Sequence, residues 1–231
     1  MTGAAVPVLT IDGPSGSGKG TISRRVADRL GWELLDSGAL YRLVAVGAGR
    51  AGLPEDDVAA HAAFARSMQV RFSVGPAGEE QIWLAGEEVT NLVRSEAAGN
   101  GASRVAALEP VRGALLQRQR DFARPPGLVA DGRDMGTVVF PAAQLKIFLT
   151  ASAEERARRR HNQLKDKGSG VSLAALSREI AERDERDMRR STAPLKPAED
   201  ALVVDSTALD IDQVVAQVMR LAAERGLLAS R

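Results

Sequence analysis

The stretch IDGPSGSGKGT, residues 11–21, follows a short apolar run and comes directly before a helical pattern. Its glycines let backbone N–H groups curl around an anion, and the start of the helix adds a partial positive charge. Lys19 is placed to reach the terminal phosphates of a bound nucleotide. A glycine-rich turn alone is ordinary, but strand, loop, lysine and helix together predict a phosphate-binding P-loop in an α/β fold.

The loop departs in one position from the common pattern GxxxxGK[ST]. Gly20 follows Lys19, and the hydroxyl comes one place later, at Thr21. In the common pattern the first hydroxyl binds Mg²⁺, so we expect no direct protein ligand for the metal here. Mg²⁺ is expected to arrive with ATP and to contact the protein through water near Thr21 and Asp36.

Five short apolar runs, each ending in an acid or a turn, are typical of buried parallel strands. They begin at Val6, Trp32, Gly127, Leu145 and Ala201. Helical patterns cover residues 20–30, 153–167, 173–190 and 211–225. Strands that alternate with helices predict a three-layer α/β fold, in which a five-stranded parallel sheet is covered by helices on both faces.

The segment from Arg71 to Phe122 breaks this rhythm. VRFSV, GPAGEE and QIWLAGEEV predict a two-stranded antiparallel hairpin, because a Gly/Pro turn separates two alternating segments. From about Ser95 onward the segment is helical and rich in Ala, Arg and Gln. We therefore predict an insertion of different architecture inside the α/β core.

The composition is that of an ordinary globular protein, with 44% hydrophobic residues and 31 basic against 30 acidic side chains. This balance argues against nonspecific binding to nucleic acid. The chain has no cysteine and no window apolar enough for a signal peptide or a membrane span, so we expect a cytoplasmic protein. We expect the two histidines, His61 and His161, at the surface rather than in a metal site.

A polar cluster, LLDSGALYR at residues 34–42, follows the second apolar run, at the sheet edge where open α/β sheets bind ligands. It supplies an acceptor, a hydroxyl, an aromatic ring and a guanidinium, from Asp36, Ser37, Tyr41 and Arg42. Asp36 or Ser37 could equally cap the start of a helix, and capping is compatible with ligand binding.

A second cluster, ADGRDMGTVVF at residues 130–140, lies just past another apolar run. Arg133 and Asp134 form either a local ion pair or part of a phosphate site. The planar fork of a guanidinium matches two phosphate oxygens at once, so in a P-loop protein we interpret Arg133 as a phosphate ligand.

The stretch ERDERDMRRSTAPL, residues 182–195, carries a third cluster. At about 100° per residue, the charged positions on one narrow stripe are Arg183, Asp187 and Arg190. This stripe continues the apolar positions Leu176 and Ile180, so it faces inward, where charges need partners. The positions that we expect on a solvated face are Glu182, Glu185 and Arg189. Arginines from separate segments near a P-loop suit phosphoryl transfer, in which charge on the transferred group must be stabilised.

A further basic set, Arg156, Arg159 and Arg160, lies on the helical segment before a GSG tip at residues 168–170. This segment is either a lid that closes over a triphosphate or a solvated basic face. A lid would exclude water from the site and limit wasteful hydrolysis of ATP.

The motifs GPSGSGKGT, LLDSGALYR, ADGRDMGTVVFP and ERDERDMRRSTAPL, in this order, closely resemble those of bacterial cytidylate kinases, a group of nucleoside monophosphate kinases. The resemblance runs from Pro7 to about Val218. It implies transfer of the γ-phosphate from ATP to CMP or dCMP with Mg²⁺, in pyrimidine nucleotide metabolism. The predicted insertion matches the enlarged monophosphate-binding domain of this family.

The resemblance also assigns residues position by position. The ATP-binding residues would be Gly13, Pro14, Ser15, Gly16, Ser17, Gly18, Lys19, Gly20, Thr21 and, from the lid, Arg159. The CMP-binding residues would be Ser37, Arg42, Ser103, Arg112, Arg133, Asp134, Arg183, Asp187 and Arg190. The polar cluster at residues 34–42 adds Tyr41 to this set. The catalytic set would be Lys19, Arg133, Arg183, Asp187 and Arg190.

Together, pattern and resemblance predict the domain limits. The core P-loop domain is expected at residues 1–36, 123–155 and 191–231. Residues 37–122 would form the monophosphate-binding region, with the family-specific insertion at about 65–105, built from a small antiparallel sheet and helices. A short lid is expected at 156–172, followed by the arginine-bearing helix at 173–190.

Two other functions stay open on the sequence alone. A related monophosphate kinase could use UMP or AMP, because base choice depends on a few hydrogen bonds. A non-catalytic protein that uses ATP as a switch is the other alternative, although it would not need an inward set of arginines on a separate helix. No heptads and no uncovered apolar stripe are visible, so we predict a monomer with small-molecule substrates and no nucleic-acid or membrane partner.

Overall fold

A computed structural model describes residues 6–166 and 172–228 of the chain. It divides into two compact units, each described by itself below. The P-loop unit contains the chain up to Asp36 and from Gln119 onward, and the inserted unit contains Ser37–Arg118. Residues 167–171 of the predicted lid, with its GSG tip, lie outside the described residues.

The elements follow one another in the order strand, helix, strand at the start of the chain, and helices dominate its second half. The strands are β1 (Val8–Asp12), β2 (Glu33–Asp36), β3 (Val70–Val74), β4 (Glu80–Leu84), β5 (Glu87–Glu88), β6 (Leu128–Gly132), β7 (Leu145–Thr150) and β8 (Leu202–Asp205). The helices are α1 (Lys19–Leu30), α2 (Ser37–Arg50), α3 (Val58–Ser67), α4 (Thr90–Val93), α5 (Glu96–Val105), α6 (Glu109–Arg120), α7 (Ala153–Asp166), α8 (Leu173–Arg189) and α9 (Ile211–Glu224). A π-helical turn spans Met135–Val139.

The P-loop unit is built on a five-stranded sheet in the order β2-β6-β1-β7-β8. Every pairing in it is parallel, with Leu9 opposite Val129 on one side and Leu145 on the other. Both β1 and β6 are buried along their whole length, which explains why they are rich in apolar residues up to the acid near the end of each strand. The predicted α/β fold with a five-stranded parallel sheet is confirmed.

The core of this unit forms where α1 and α9 meet one face of the sheet. Ile22 and Val26 of α1 and Val215 of α9 join the inward side chains of the strands in one buried cluster. The next side chains along β1 point to the opposite face, where the π-helical turn approaches so closely that a Cβ at Gly136 would lie 3.0 Å from Thr10 Oγ1. The sheet thus fixes the carboxyl ends of β1, β2 and β6 side by side.

The inserted unit combines a small antiparallel sheet with helices. Its sheet has three strands in the order β3-β4-β5. The prediction of a two-stranded hairpin is therefore wrong, because it lacks the short strand β5. The chain turns at Ala85 and Gly86, which both have positive φ, and QIWLAGEEV therefore folds back on itself instead of forming one strand. Helix α2 packs against α5, where Gly101 brings the two helices close at Ala45.

His61 contradicts its predicted surface position. It is buried on α3, and its Nδ1 lies 2.8 Å from the carbonyl oxygen of Asp57, the N-cap residue of that helix. A satisfied ring nitrogen lets a polar side chain lie in the interior of the inserted unit. Across the described residues, none of the helices has the length and apolarity that crossing a membrane requires.

Candidate functional site

The P-loop connects the end of β1 to the start of α1. Gly13 has φ 150°, and a Cβ there would collide with the carbonyl oxygen of Leu149, so only glycine fits at this crossing. Gly18 is the N-cap of α1 and has φ 93°. Because it has no side chain to cap the helix, backbone N–H groups at the start of α1 are available to an anion.

Lys19 is the first residue of α1, directly after the loop, and it is buried. Its Nζ donates a hydrogen bond to the carbonyl oxygen of Pro14 at 2.8 Å. Burial lowers the pKa of Lys19 to about 7, and the positive charges of Arg133 and Arg183 act in the same direction. The structure therefore brings three predicted catalytic residues, from three segments of the chain, into one electrostatic neighbourhood.

Asp12, which the sequence analysis did not select, clamps the segment after β6. Its Oδ1 accepts a hydrogen bond from the Met135 N–H and its Oδ2 accepts one from the Gly136 N–H, each at 2.8 Å. Burial raises the pKa of Asp12 to about 7 against the lowering effect of these two bonds. Asp12 ends an apolar strand, and the same strand-end signal that selected Asp36 could have found it.

Arg133 follows β6 and reaches across to α8. Its Nε donates a hydrogen bond to Oδ2 of Asp187 at 3.2 Å, and its Nη1 donates to the carbonyl oxygen of Gly132 at 3.2 Å. The ion pair of Arg133 is thus with Asp187, while the adjacent Asp134 is buried at the start of the π-helical turn. Two residues predicted from separate motifs meet in the P-loop unit.

Helix α8 carries the predicted stripe of charge. Asp187 and Arg190 are buried and Arg183 is partly buried, in line with the buried positions Leu176 and Ile180. The positions expected at the surface are exposed, namely Glu182, Glu185 and Arg189. The periodicity therefore located the inward face of this helix, but it missed one inward charge.

The missed charge is Asp184, which is buried on α8 and pairs with Arg156 of α7 at 2.6 Å. The alternative of a solvated basic face is wrong for Arg156, because its side chain is 7% exposed and its charge is paired with a buried acid. Sequence spacing alone gave no sign of a partner 28 positions away.

Arg159, the predicted lid contact to ATP, lies beside the P-loop. Its Nη1 donates hydrogen bonds to the Ser206 hydroxyl at 3.0 Å and to the Ser17 carbonyl oxygen at 3.3 Å. Its Nε forms an ion pair with Glu155 one turn earlier on α7. Arg160, by contrast, donates from Nη1 to the side chain of Gln163 on the same helix.

The inserted unit holds the other predicted CMP residues. The Arg112 guanidinium lies over the ring of Tyr41, 5.8 Å from its centroid, and both side chains are buried. Arg42 donates from Nη1 to the carbonyl oxygens of Val93 and Ser95, each at 2.9 Å.

The hydroxyl residues of this set lie on two packed helices of the inserted unit. Ser37 is buried at the first position of α2, and Ser103 is buried on α5. Because α2 and α5 pack together, this unit gathers its predicted CMP residues on adjoining elements. No local pattern singled out Ser103 and Arg112, which came from the family resemblance alone.

Carboxylates at the strand ends offer the chemistry that Mg²⁺ prefers. Asp36 of β2 lies directly opposite Asp131 of β6 in the sheet register. A Cβ at Gly20 would lie 3.5 Å from Oδ2 of Asp131, so a carboxylate lies beside the position where the common P-loop pattern has a hydroxyl. Among the described residues, no group of three or more His, Asp and Glu side chains could hold a metal alone. The donors present fit a hydrated Mg²⁺ that is carried by nucleotide phosphates.

The sequence of this chain is similar to those of known proteins over nearly its whole length. A family model described as cytidylate kinase matches residues 9–224. The cytidylate kinase of Marinomonas sp. (strain MWYL1) is 55% identical over 222 residues, which cover 96% of this chain and 98% of that protein. Those of Stutzerimonas stutzeri (strain A1501) and Pseudomonas fluorescens (strain Pf0-1) are 58% and 59% identical, over 96% of this chain and 97% of each relative. The similarity extends through both units.

Proposed function

The chain belongs to the cytidylate kinase family, and from this premise we propose that it transfers the γ-phosphate of ATP to CMP and dCMP. The products are ADP with CDP or dCDP, in pyrimidine nucleotide metabolism. The observation that carries the proposal is the arrangement around Lys19, where Arg133 and Arg183 share the surroundings of a buried ammonium group. Such a set suits an anionic donor and an anionic acceptor, whose charges must be neutralised together.

The donor side is proposed to consist of the P-loop, Lys19 and Arg159. Backbone N–H groups of residues 13–21 would hold the ATP phosphates at the start of α1, where the helix dipole favours negative charge. Lys19 supplies a cation for the terminal phosphates, and its contact with a carbonyl oxygen is one that a phosphate oxygen can replace. Arg159, held beside Ser17, is proposed to contact the donor from α7.

The acceptor phosphate is proposed to bind Arg42, Arg133 and Arg190. The contacts of Arg133 with Asp187 and Gly132 use Nε and Nη1, so Nη2 is the nitrogen that would meet a phosphate oxygen. Arg183 and Asp187 are proposed to address the acceptor sugar. The cytosine readers are proposed to be Ser37, Ser103, Arg112 and Asp134, with Tyr41 under the Arg112 guanidinium.

The chemistry needs no dedicated base, because an oxygen of the CMP phosphate is already a nucleophile. Alignment of donor and acceptor, and neutralisation of charge by lysine and arginine, are the contributions of this chain. Asp36, Asp131 and Thr21 are proposed to hold Mg²⁺ through its water ligands. The metal held there would supply positive charge that offsets part of the negative charge of the phosphates.

The proposal is tested by an assay that couples ADP release to a measurable signal, with ATP as donor. CMP, dCMP, UMP and AMP are offered in turn as acceptors, and a Lys19→Met variant serves as the inactive control. We expect ADP release with CMP and dCMP, and much slower release with UMP or AMP. Release with UMP or AMP alone would indicate a different monophosphate kinase. ATP binding without release in the presence of any acceptor would indicate a switch protein.

We also propose that the chain acts as a monomer in the cytoplasm. Its 31 basic and 30 acidic side chains nearly balance, and both substrates are small molecules found in that compartment. Light scattering at micromolar concentration tests whether the protein is a monomer. A species of twice the chain mass would contradict it.

A further inference from the structure

The first turn of α7 packs directly on the P-loop. A Cβ at Gly16 would lie 3.2 Å from the Cβ of Arg156, so the loop and the helix are in close contact at this point. The Arg156 guanidinium then bonds to both segments. Nη1 donates to the carbonyl oxygen of Ser15 at 2.9 Å, and Nε donates to the carbonyl oxygen of Ala151 at 3.1 Å.

The same guanidinium also reaches α8. Nη2 of Arg156 pairs with Oδ2 of Asp184 at 2.6 Å, and the Asp184 side chain is only 11% exposed. Asp184 follows Arg183 directly and precedes Asp187 by less than one helical turn. One side chain therefore joins the donor loop to the part of α8 that carries proposed acceptor residues.

We propose that Arg156 and Asp184 are positioning residues for phosphoryl transfer, which set the place of the P-loop relative to the acceptor residues of α8. The inference rests on the proposed function, since it concerns that same site. According to this proposal, neither Arg156 nor Asp184 touches the reacting atoms. Their effect comes through alignment, because a misplacement of about 1 Å costs about 10²-fold in rate.

A substitution of Arg156 can distinguish a positioning role in catalysis from a role in the stability of the fold. A lysine there keeps the positive charge that Asp184 needs. Its single ammonium group does not reproduce the planar fork that serves Asp184, Ser15 and Ala151 at once. If the ion pair only stabilises the fold, Arg156→Lys protein that stays folded should keep its activity. If the pair positions the P-loop, the folded variant should lose activity.

The experiment compares the wild-type protein with Arg156→Lys and with a matched control, Arg158→Lys. Arg158 lies on the same helix, is 65% exposed and pairs with Glu155 at the surface. Thermal unfolding, the Kd of ADP by calorimetry, and kcat and KM for CMP are measured for each. We expect folded Arg156→Lys to bind ADP about tenfold more weakly and to lose about 10²-fold in kcat, while Arg158→Lys matches the wild type.

Asp184→Asn tests the α8 side of the contact and also serves if Arg156→Lys does not fold. It removes the negative charge but keeps the bond from Arg156 to Ser15, so the P-loop keeps its support. We expect an unchanged Kd for ADP together with a kcat about tenfold lower, since only the acceptor helix is released. Rescue of kcat by Asp184→Glu, which restores the charge, is the expected result for a positioning acid.

Two results overturn the inference. One is wild-type ADP affinity and kcat in folded Arg156→Lys, and the other is an equal loss in Arg158→Lys. Binding of ADP requires no acceptor, so its Kd tests the P-loop contact even if the wild-type protein phosphorylates no monophosphate. A wild-type protein that phosphorylates no monophosphate would contradict the proposed function, whatever the Kd of ADP shows.

Discussion

Arg133, at the end of β6, donates a hydrogen bond from Nε to Oδ2 of Asp187 on α8, over 3.2 Å. The Asp187 side chain is 3% exposed and that of Arg133 is 19% exposed, so the pair is largely shielded from water. The contact fixes one edge of a guanidinium whose other edge is proposed to hold phosphate. It also couples a proposed phosphate ligand to a proposed sugar ligand on another element.

Asp187→Asn removes the negative charge from this pair while nearly keeping the shape of the side chain. We expect kcat for CMP phosphorylation to fall by about 10²-fold, because Arg133 loses its fixed orientation. Steady-state kinetics with varied CMP measure the change. Glu185→Gln is the matched control, since Glu185 is exposed on the same helix and pairs with Arg189. Full activity of Asp187→Asn would show that the reaction does not need this contact.

Asp12→Asn tests the clamp on the π-helical turn. The amide places an NH₂ group where Asp12 has its second oxygen, and because this group cannot accept a hydrogen bond, one of the N–H groups of Met135 and Gly136 loses its partner. We expect the free energy of unfolding to fall by about 1–3 kcal/mol, as measured by urea denaturation. The control Asp28→Asn changes an exposed carboxylate of α1 and is expected to stay within about 0.5 kcal/mol of the wild type.

The pH dependence of this difference has a definite sign. The folded-state pKa of Asp12 is raised from 3.8 to about 7, so between these two pH values the folded protein binds a proton there that the unfolded chain does not bind. The contribution of Asp12 to the free energy of unfolding therefore rises as pH falls below about 7, and is lost as pH rises through that value. The wild-type advantage over Asp12→Asn should be larger at about pH 6 than at about pH 8. A constant difference would contradict the raised pKa.

The lowered pKa of Lys19 leads us to expect that the protein takes up a proton when it binds a nucleotide. Its pKa is lowered to about 7, so above that pH the free protein holds a partly neutral amine. Phosphate charge next to Nζ favours the ammonium form and raises the pKa again. At about pH 8, calorimetry in buffers of different ionisation enthalpy should show uptake of a proton with ADP. Lys19→Arg, which stays charged, should show less uptake; equal uptake would place the proton on another group.

Arg112 is expected to affect the acceptor and not the donor. Its planar guanidinium lies over Tyr41 and donates to the carbonyl oxygen of Ala106, and an ammonium group does not reproduce this geometry. We expect Arg112→Lys to raise the KM for CMP by about tenfold with an unchanged KM for ATP. Arg104→Lys changes an exposed arginine of the same unit and should have no effect. An altered KM for ATP alone would contradict the assignment.

The sequence predicted those features whose causes are local. Strands of a covered parallel sheet are rich in apolar residues, so β1, β6 and β7 could be found from short, mainly apolar runs in the sequence. The P-loop was predictable because glycine, lysine and helix start occur together within a few positions. The inward face of α8 followed from the helical period, which placed Asp187 on the stripe of Leu176 and Ile180.

The features that the sequence analysis missed depend on partners far away in the chain. The end of an apolar strand marks Asp12, but its partners are N–H groups more than 120 positions later, and no local pattern encodes that pairing. Asp184 lies beside the predicted stripe, and its burial depends on Arg156 from another helix. The strand β5 was missed because the turn at Ala85 contains a non-glycine residue with positive φ, which propensity alone disfavours.

The most direct test of the central claim is to follow both products of the reaction by phosphorus NMR, with ATP, CMP, Mg²⁺ and the wild-type protein in one tube. Transfer of the γ-phosphate to CMP predicts that ADP and CDP appear in equal amounts, without inorganic phosphate. Lys19→Met, which lacks the P-loop cation, should leave the starting nucleotides unchanged over the same time. ADP with inorganic phosphate and no CDP from the wild-type protein would contradict the claim, because the phosphate would then have gone to water.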